Sequence, residues 1–183
     1  MGRVVGVRSP LISLLLVGVF ALSGCAAATP APTADPTPAA SAEASADSGA
    51  ECDGVAVIVD FGTLDAEGES ACVDATSAIA ATAALDEAGV TTEGSVEWGD
   101  QIVCRVNDRP GPDETVDVEG EASFVESCQS MPPAYAYWAL WVKPTADGEW
   151  EYAQEGLGTL QVEPGQSVGL VYTTGTETPT PAG

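Results

Sequence analysis

The chain has 183 residues, with 28 Asp and Glu against 5 Lys and Arg, five Cys and no His, a formal charge of −23. Lack of imidazole excludes Ser-His-Asp and Cys-His catalytic pairs, histidine metal ligands and a histidine switch near neutral pH. The acidity repels phosphate backbones, which excludes a nucleic-acid partner, while 45% hydrophobic residues suffice for the core of one ordinary domain.

Arg3 and Arg8 precede an apolar run over residues 11–22, which has the length of a signal-peptide core and is too short for a secure transmembrane helix. The run ends in Leu22-Ser23-Gly24-Cys25, the order of a bacterial lipobox. There the Cys25 thiol would form a thioether to diacylglycerol, and the small residues before it admit the signal peptidase. Residues 1–24 are therefore expected to be a lipoprotein signal peptide. Cys25 becomes a lipidated N-terminus on the extracytoplasmic face of the cell membrane. Two or three acyl chains, at roughly 0.8 kcal/mol per buried CH₂, anchor durably where one would not. Cleavage leaves 28 acids against Arg105, Arg109 and Lys143, a formal −25. Such a surface avoids anionic headgroups and can attract cations or basic partners.

Residues 26–50 contain only Ala, Thr, Pro, Asp, Ser, Glu and Gly. With no aromatic or branched aliphatic side chain to bury, residues 25–50 read as a lipidated, disordered tether. The composition then shifts to Val, Trp, Tyr and Cys, and residues 51–173 read as one globular domain, followed by a disordered Thr/Pro/Gly tail over 174–183. The domain keeps four cysteines, and outside the cytoplasm four usually mean two disulfides, with three connectivities open. The sequential pairing, Cys52–Cys72 and Cys104–Cys128, is favoured. No C-x-x-C spacing supports a metal site, and no cofactor is expected.

Within the domain, Val55, Val57, Val59 and Phe61 alternate with Ala56, Ile58 and Asp60, the period of a strand. The alanine-rich stretch 76–88 predicts a helix, N-capped by Asp74 or Thr76 and stopped by Gly89, with Ala78, Ala81, Leu85 and Ala88 on its packing face. Strands are predicted over 94–98, 101–107, 135–142, 149–153, 159–162 and 167–173, separated by turns at 145–148 and 163–165. One early helix followed by a run of strands implies a small α+β fold with the helix across one face of a sheet.

Four of the chain's eleven aromatic residues, Tyr135, Tyr137, Trp138 and Trp141, fall within seven positions. On a strand, Tyr135, Tyr137 and Trp141 point one way and Trp138 the other, with Trp150 and Tyr152 as cross-strand neighbours. These rings either fill the core and a second small layer or form an aromatic platform for a flat or sugar-like ligand.

The residues Tyr135-Ala136-Tyr137-Trp138, Gly148-Glu149-Trp150-Glu151-Tyr152, Gly156-Leu157-Gly158 and Pro164-Gly165-Gln166-Ser167-Val168 resemble the transcobalamin C-terminal-like β-grasp domain. Val103-Cys104-Arg105-Val106, Cys128 followed by Pro132-Pro133-Ala134, and Ala84-Leu85-Asp86-Glu87-Ala88-Gly89-Val90 resemble its actinobacterial lipoprotein relatives. The resemblance implies a β-grasp-like mixed sheet with one helix packed across it, and a small soluble ligand, cobalamin in the animal relatives. No histidine here could replace the base of a corrin.

Arg105 could clamp an anionic ligand group, although among so many carboxylates it also fits a structural ion pair. The acidic runs 60–69 and 113–121 do not match the twelve-residue EF-hand pattern. No carboxylate pair stands out for glycoside hydrolysis, and Lys143, at a turn before Pro144, gives no Ser-Lys nucleophile. The expected function is non-catalytic binding of a small extracytoplasmic ligand at Tyr135, Tyr137, Trp138, Trp141, Trp150, Tyr152 and Arg105, in the service of a transporter. The alternative is a protein-interaction or structural module of the cell envelope that uses an exposed aromatic strand.

Overall fold

The computed structural model describes residues 52–182. The expected signal peptide, the Cys25 anchor and the tether lie outside the described residues.

Strand β1 (Val55–Asp60) buries Val55, Val57 and Val59 and leaves the alternate residues half-buried, as its period requires. Strand β2 (Glu69–Val73) returns antiparallel beside it, and the Cys52–Cys72 disulfide ties that strand to the residues preceding β1. Glu69-Ser70-Ala71 carries too little apolar surface to read as a strand. It pairs because it is an edge with one solvated side.

The helix is shorter than the alanine content predicts. Ile79–Ala80 forms strand β3, which pairs with strand β10 (Gln161–Val162), and α1 covers only Ala81–Glu87. Ala80 is the N-cap in extended conformation, with no side-chain cap bond; neither Asp74 nor Thr76 serves. Ladder pairing of Ile79 with Val162 thus overrides helix propensity at the N-terminal end. The C-terminal stop is the expected one, with Gly89 at φ 79° and the Val90 amide donating to the Leu85 carbonyl. Ala81, Ala84 and Leu85 are fully buried.

Strands β4 (Thr92–Ser95) and β5 (Gly99–Val106) form an antiparallel ribbon whose register shifts on either side of Gly94. A second ribbon joins β6 (Thr115–Val116) to β7 (Phe124–Val125). Strand β8 (Ala136–Lys143) then pairs with β9 (Glu151–Tyr152) and with β11 (Ser167–Thr174). The main sheet has the order β2-β1-β11-β8-β9, with β1 and β11 parallel and the other neighbours antiparallel. The described residues are thus mostly β with one short helix, loosely α+β, and carry two disulfides, Cys52–Cys72 and Cys104–Cys128.

One face of the sheet carries the main core. Val57, Val168, Leu170 and Leu85 meet there, and Trp138 sits edge-on to Phe61 and Tyr172 with ring centroids 5.5 and 5.4 Å away. The other face holds a smaller cluster of Ala139, Trp141 and Val171, with Tyr137 and Trp150 packed on it. The expected disordered tail does not simply leave the domain. Thr174 extends β11, and Pro181 is buried close over Gly169 beside the Trp150 ring. Only a residue without a Cβ fits under that cover: a methyl group built on Gly169 would stand 2.4 Å from Pro181 Cγ.

Candidate functional site

Pairing between β8 and β9 is brief, and a cleft opens where it stops. Trp141 faces Tyr152 and Val142 faces Glu151, and the Ala153 amide donates to the Leu140 carbonyl at 3.0 Å. Beyond Ala153 the chain swings away from β8 and packs Gly156 against Gln101, where a Cβ on the glycine would meet Gln101 Cα at 2.7 Å. The gap between β8 and this returning segment is a cleft of about 550 Å³, inside the usual range of roughly 300–1,000 Å³ for small-ligand sites.

Its walls come from four stretches: residues 101–103 of β5, residues 131–134, residues 137–140 of β8 and residues 152–157. Glu155 is the only ionisable carboxylate or base among them, and Gln101 and Gln154 supply amides. At the rim the Tyr137 and Tyr152 hydroxyls share a hydrogen bond of 2.9 Å. The Tyr152 ring lies on Trp141, centroids 4.3 Å apart. Burial chiefly, and then the bond and charge of Tyr137, raise the Tyr152 phenol well above the ordinary tyrosine pKa. The Tyr152 hydroxyl therefore stays protonated, and the pair offers both a donor and an acceptor at the rim.

Of the seven binding residues expected from sequence, the cleft gathers Tyr137, Trp138 and Tyr152. The other four lie elsewhere. Tyr135 precedes β8, breaks the expected alternation and packs edge-on against Phe124 with its hydroxyl on the Ala122 carbonyl. Trp141 is buried in the cluster on the second face, and Trp150 packs on that cluster with the Lys143 ammonium 5.3 Å over its ring. The second face of the aromatic strand is thus covered by Trp150 and Pro181, with the Tyr152 ring, 39% exposed, lying on Trp141 at its border.

Arg105 is buried and does not line the cleft, and each of its guanidinium nitrogens has a protein partner. Nη1 donates to Glu93 at 2.6 Å, Nε to the Pro110 carbonyl at 2.8 Å and Nη2 to the Glu126 carbonyl at 2.5 Å. It ties strand β4 to the segments at Pro110 and Glu126. Glu93 is also the carboxylate nearest to Cys104 and Cys128, but both sulfurs are spent in the disulfide.

Several contributors had only a weak signal in the sequence. Met131-Pro132-Pro133-Ala134 and Gln154-Glu155-Gly156, none of them among the residues expected to bind, both wall the cleft. The exposed apolar side chains are also not on the aromatic strand. Val96 (75% exposed) and Trp98 (51%) stand on the β4–β5 turn, and Met131 (60%) stands on the 131–134 wall. Comparison with protein-family models, with curated proteins and with solved structures finds no match for this chain.

Proposed function

We propose that the chain is a lipid-anchored, extracytoplasmic lipoprotein whose head is a non-catalytic binding module of β-grasp type. In this reading it captures a small ligand in the cleft beside β8 for a transporter. The observation that carries it is the cleft itself: a strand edge left open beside apolar walls and a hydrogen-bonded Tyr137–Tyr152 hydroxyl pair. The β-grasp assignment draws on the strand order β2-β1-β11-β8-β9, with the first and last strands parallel at the centre and α1 against β1. That order also favours kinship with the transcobalamin C-terminal-like domain. The literal cobalamin analogy is weaker, because no histidine exists and a corrin with its nucleotide loop far exceeds a drug-sized ligand.

The test uses the full chain in detergent micelles, titrated with tetrapyrroles, sugars, nucleosides and short peptides. A saturable shift of tryptophan emission is expected with one class, through Trp138 in the cleft wall, and Tyr137→Phe should weaken it. Silence across the whole panel would sink the reading. For the anchor, Cys25→Ala should release the protein into the medium, and unchanged membrane retention would refute lipidation. The interaction-module alternative is favoured by Val96, Trp98 and Met131. It predicts a stoichiometric envelope partner that is lost on Trp98→Ala, with no small-ligand response.

A further inference from the structure

The β8 main chain points to the class of ligand. In an antiparallel ladder, alternate residues aim both N–H and C=O at one neighbour and the residues between them aim outward. The Gly175 amide donates to the Tyr135 carbonyl, so Tyr135, Tyr137, Ala139 and Trp141 face β11. Ala136, Trp138, Leu140 and Val142 face the opposite edge, where the Ala136 amide is taken by the Pro133 carbonyl, the Leu140 carbonyl by the Ala153 amide, and Val142 pairs with Glu151. This leaves the N–H and C=O of Trp138 and the N–H of Leu140 on an edge where no described residue bonds them. Consecutive residues whose side chains belong to opposite sheet faces, Tyr137 and Ala139 against Trp138 and Leu140, all line the cleft, as they do when a cleft runs along the strand's edge. Trp138 is only 6% exposed overall and lies on the cleft wall, so its edge N–H and C=O are groups that a ligand strand can bond.

Charge selects the occupant further. The bases Arg105, Arg109 and Lys143 do not line the cleft, whereas Glu155 does, and Asp100 packs beside Gly158 just past its end. We infer that the ligand is a short extended peptide carrying a cationic side chain, which continues β9 as an added strand on β8. Its amide exchanges hydrogen bonds with the Trp138 N–H and C=O, its apolar side chains lie on the cleft walls, and its ammonium or guanidinium group meets Glu155. This assignment rests on the binding reading above and narrows it to one ligand class.

The probes are acetyl-valyl-lysyl-valine amide, its glutamyl analogue, and the lysyl peptide N-methylated at the central amide, each titrated calorimetrically into the full chain in micelles. The lysyl peptide should bind at least about tenfold more tightly than the glutamyl one, and N-methylation should abolish most of the affinity. Glu155→Gln, at an exposed position, should remove the lysine preference while leaving the fold intact. Amide exchange should slow at Trp138 and Leu140 when the peptide is bound. Equal binding of parent and N-methylated peptide, or protection at other strands only, would overturn the strand-addition geometry. Should a sugar, nucleoside or tetrapyrrole shift the emission while all peptides stay silent, the peptide assignment falls and the cleft reading stands. Silence of every probe removes both.

Discussion

The two disulfides close loops of nearly equal length but hold very different parts of the molecule, so removing each should have separable consequences. With sequence separations of 20 and 24 between their cysteines, loss of chain entropy in the unfolded state predicts about 3.3 kcal/mol for Cys52–Cys72 and about 3.4 kcal/mol for Cys104–Cys128. The second pair is also buried, each residue 2% exposed, so its replacement by alanine adds a cavity cost of roughly 1 kcal/mol per sulfur. Paired alanine replacement should therefore cost about 3 kcal/mol at the first bridge and about 5 kcal/mol at the second. At about 4 °C per kcal/mol for a domain of this size, Tm should fall by about 13 and 20 °C. The local effect differs more. Cys128 sits at φ 55°, which costs a non-glycine residue roughly 1–2 kcal/mol, and is held there by the bridge and by the Glu126 carboxylate accepting from its amide at 2.7 Å. Through that residue the 126–129 loop accepts the Val96 and Glu97 amides on the Cys128 and Gln129 carbonyls, at 2.8 and 3.1 Å. Hydrogen exchange of Val96 and Glu97 should therefore accelerate in Cys104→Ala/Cys128→Ala and stay unchanged in Cys52→Ala/Cys72→Ala. Equal destabilisation by the two double variants, or undisturbed protection at Val96 and Glu97 in the first, would refute the reasoning.

Leu170→Ala removes a fully buried side chain from the centre of β11, and denaturant unfolding should report a loss of about 2–5 kcal/mol. Gly169→Ala drives a methyl group into Pro181 and toward the Trp150 ring, at 2.4 and 3.2 Å, so residues 176–182 should become sensitive to limited proteolysis while the sheet persists; an unchanged cleavage pattern would show that the tail does not seal the second face. Tyr152 and Tyr172 both have phenols shifted upward, each chiefly by burial, then by Tyr137 for the first and by the Glu126 and Glu114 charges for the second. A raised folded pKa means full stability below the unfolded tyrosine value of about 10 and progressive loss above it, so melting temperature should hold up to about pH 9 and fall beyond pH 10. Four tyrosines ionising together near pH 10 in a still-folded protein, followed by ultraviolet titration, would contradict this.

Strand periods were legible wherever one face of a strand is buried. Val55, Val57 and Val59, and the β8 and β11 runs, read directly from alternation or from sustained apolar character. The stretches that misread are those decided by a distant partner. Ile79–Ala80 looks helical until Gln161–Val162 claims it, and Glu69–Val73 looks like a loop until β1 offers an edge. The sequential cysteine pairing was accessible because each bridge spans a short loop between neighbouring elements.

The cleft was legible only in part, and the reason is geometric. Side-chain chemistry marked Tyr137, Trp138 and Tyr152, but it marked Trp141, Trp150 and Arg105 equally, and the latter are consumed by a second layer and by an internal ion pair. What distinguishes the two sets is where β9 stops pairing with β8, a property of the main chain that no residue type announces. Ala153 makes the last cross-strand bond and Gly156 fits against Gln101 only because it lacks a side chain, so two small residues turn the chain away and leave the Trp138 amide and carbonyl without a bonded neighbour among the described residues. The chain's charge excess then acquires a local meaning: with Arg105 and Arg109 tied into ion pairs and Lys143 over Trp150, the one charged side chain among the described residues that line the cleft is Glu155. An acidic coat by itself attracts cations everywhere on the surface. An acidic group beside unpaired strand amides attracts them in one orientation, and that is the property by which the cleft would distinguish its ligand from the rest of the medium.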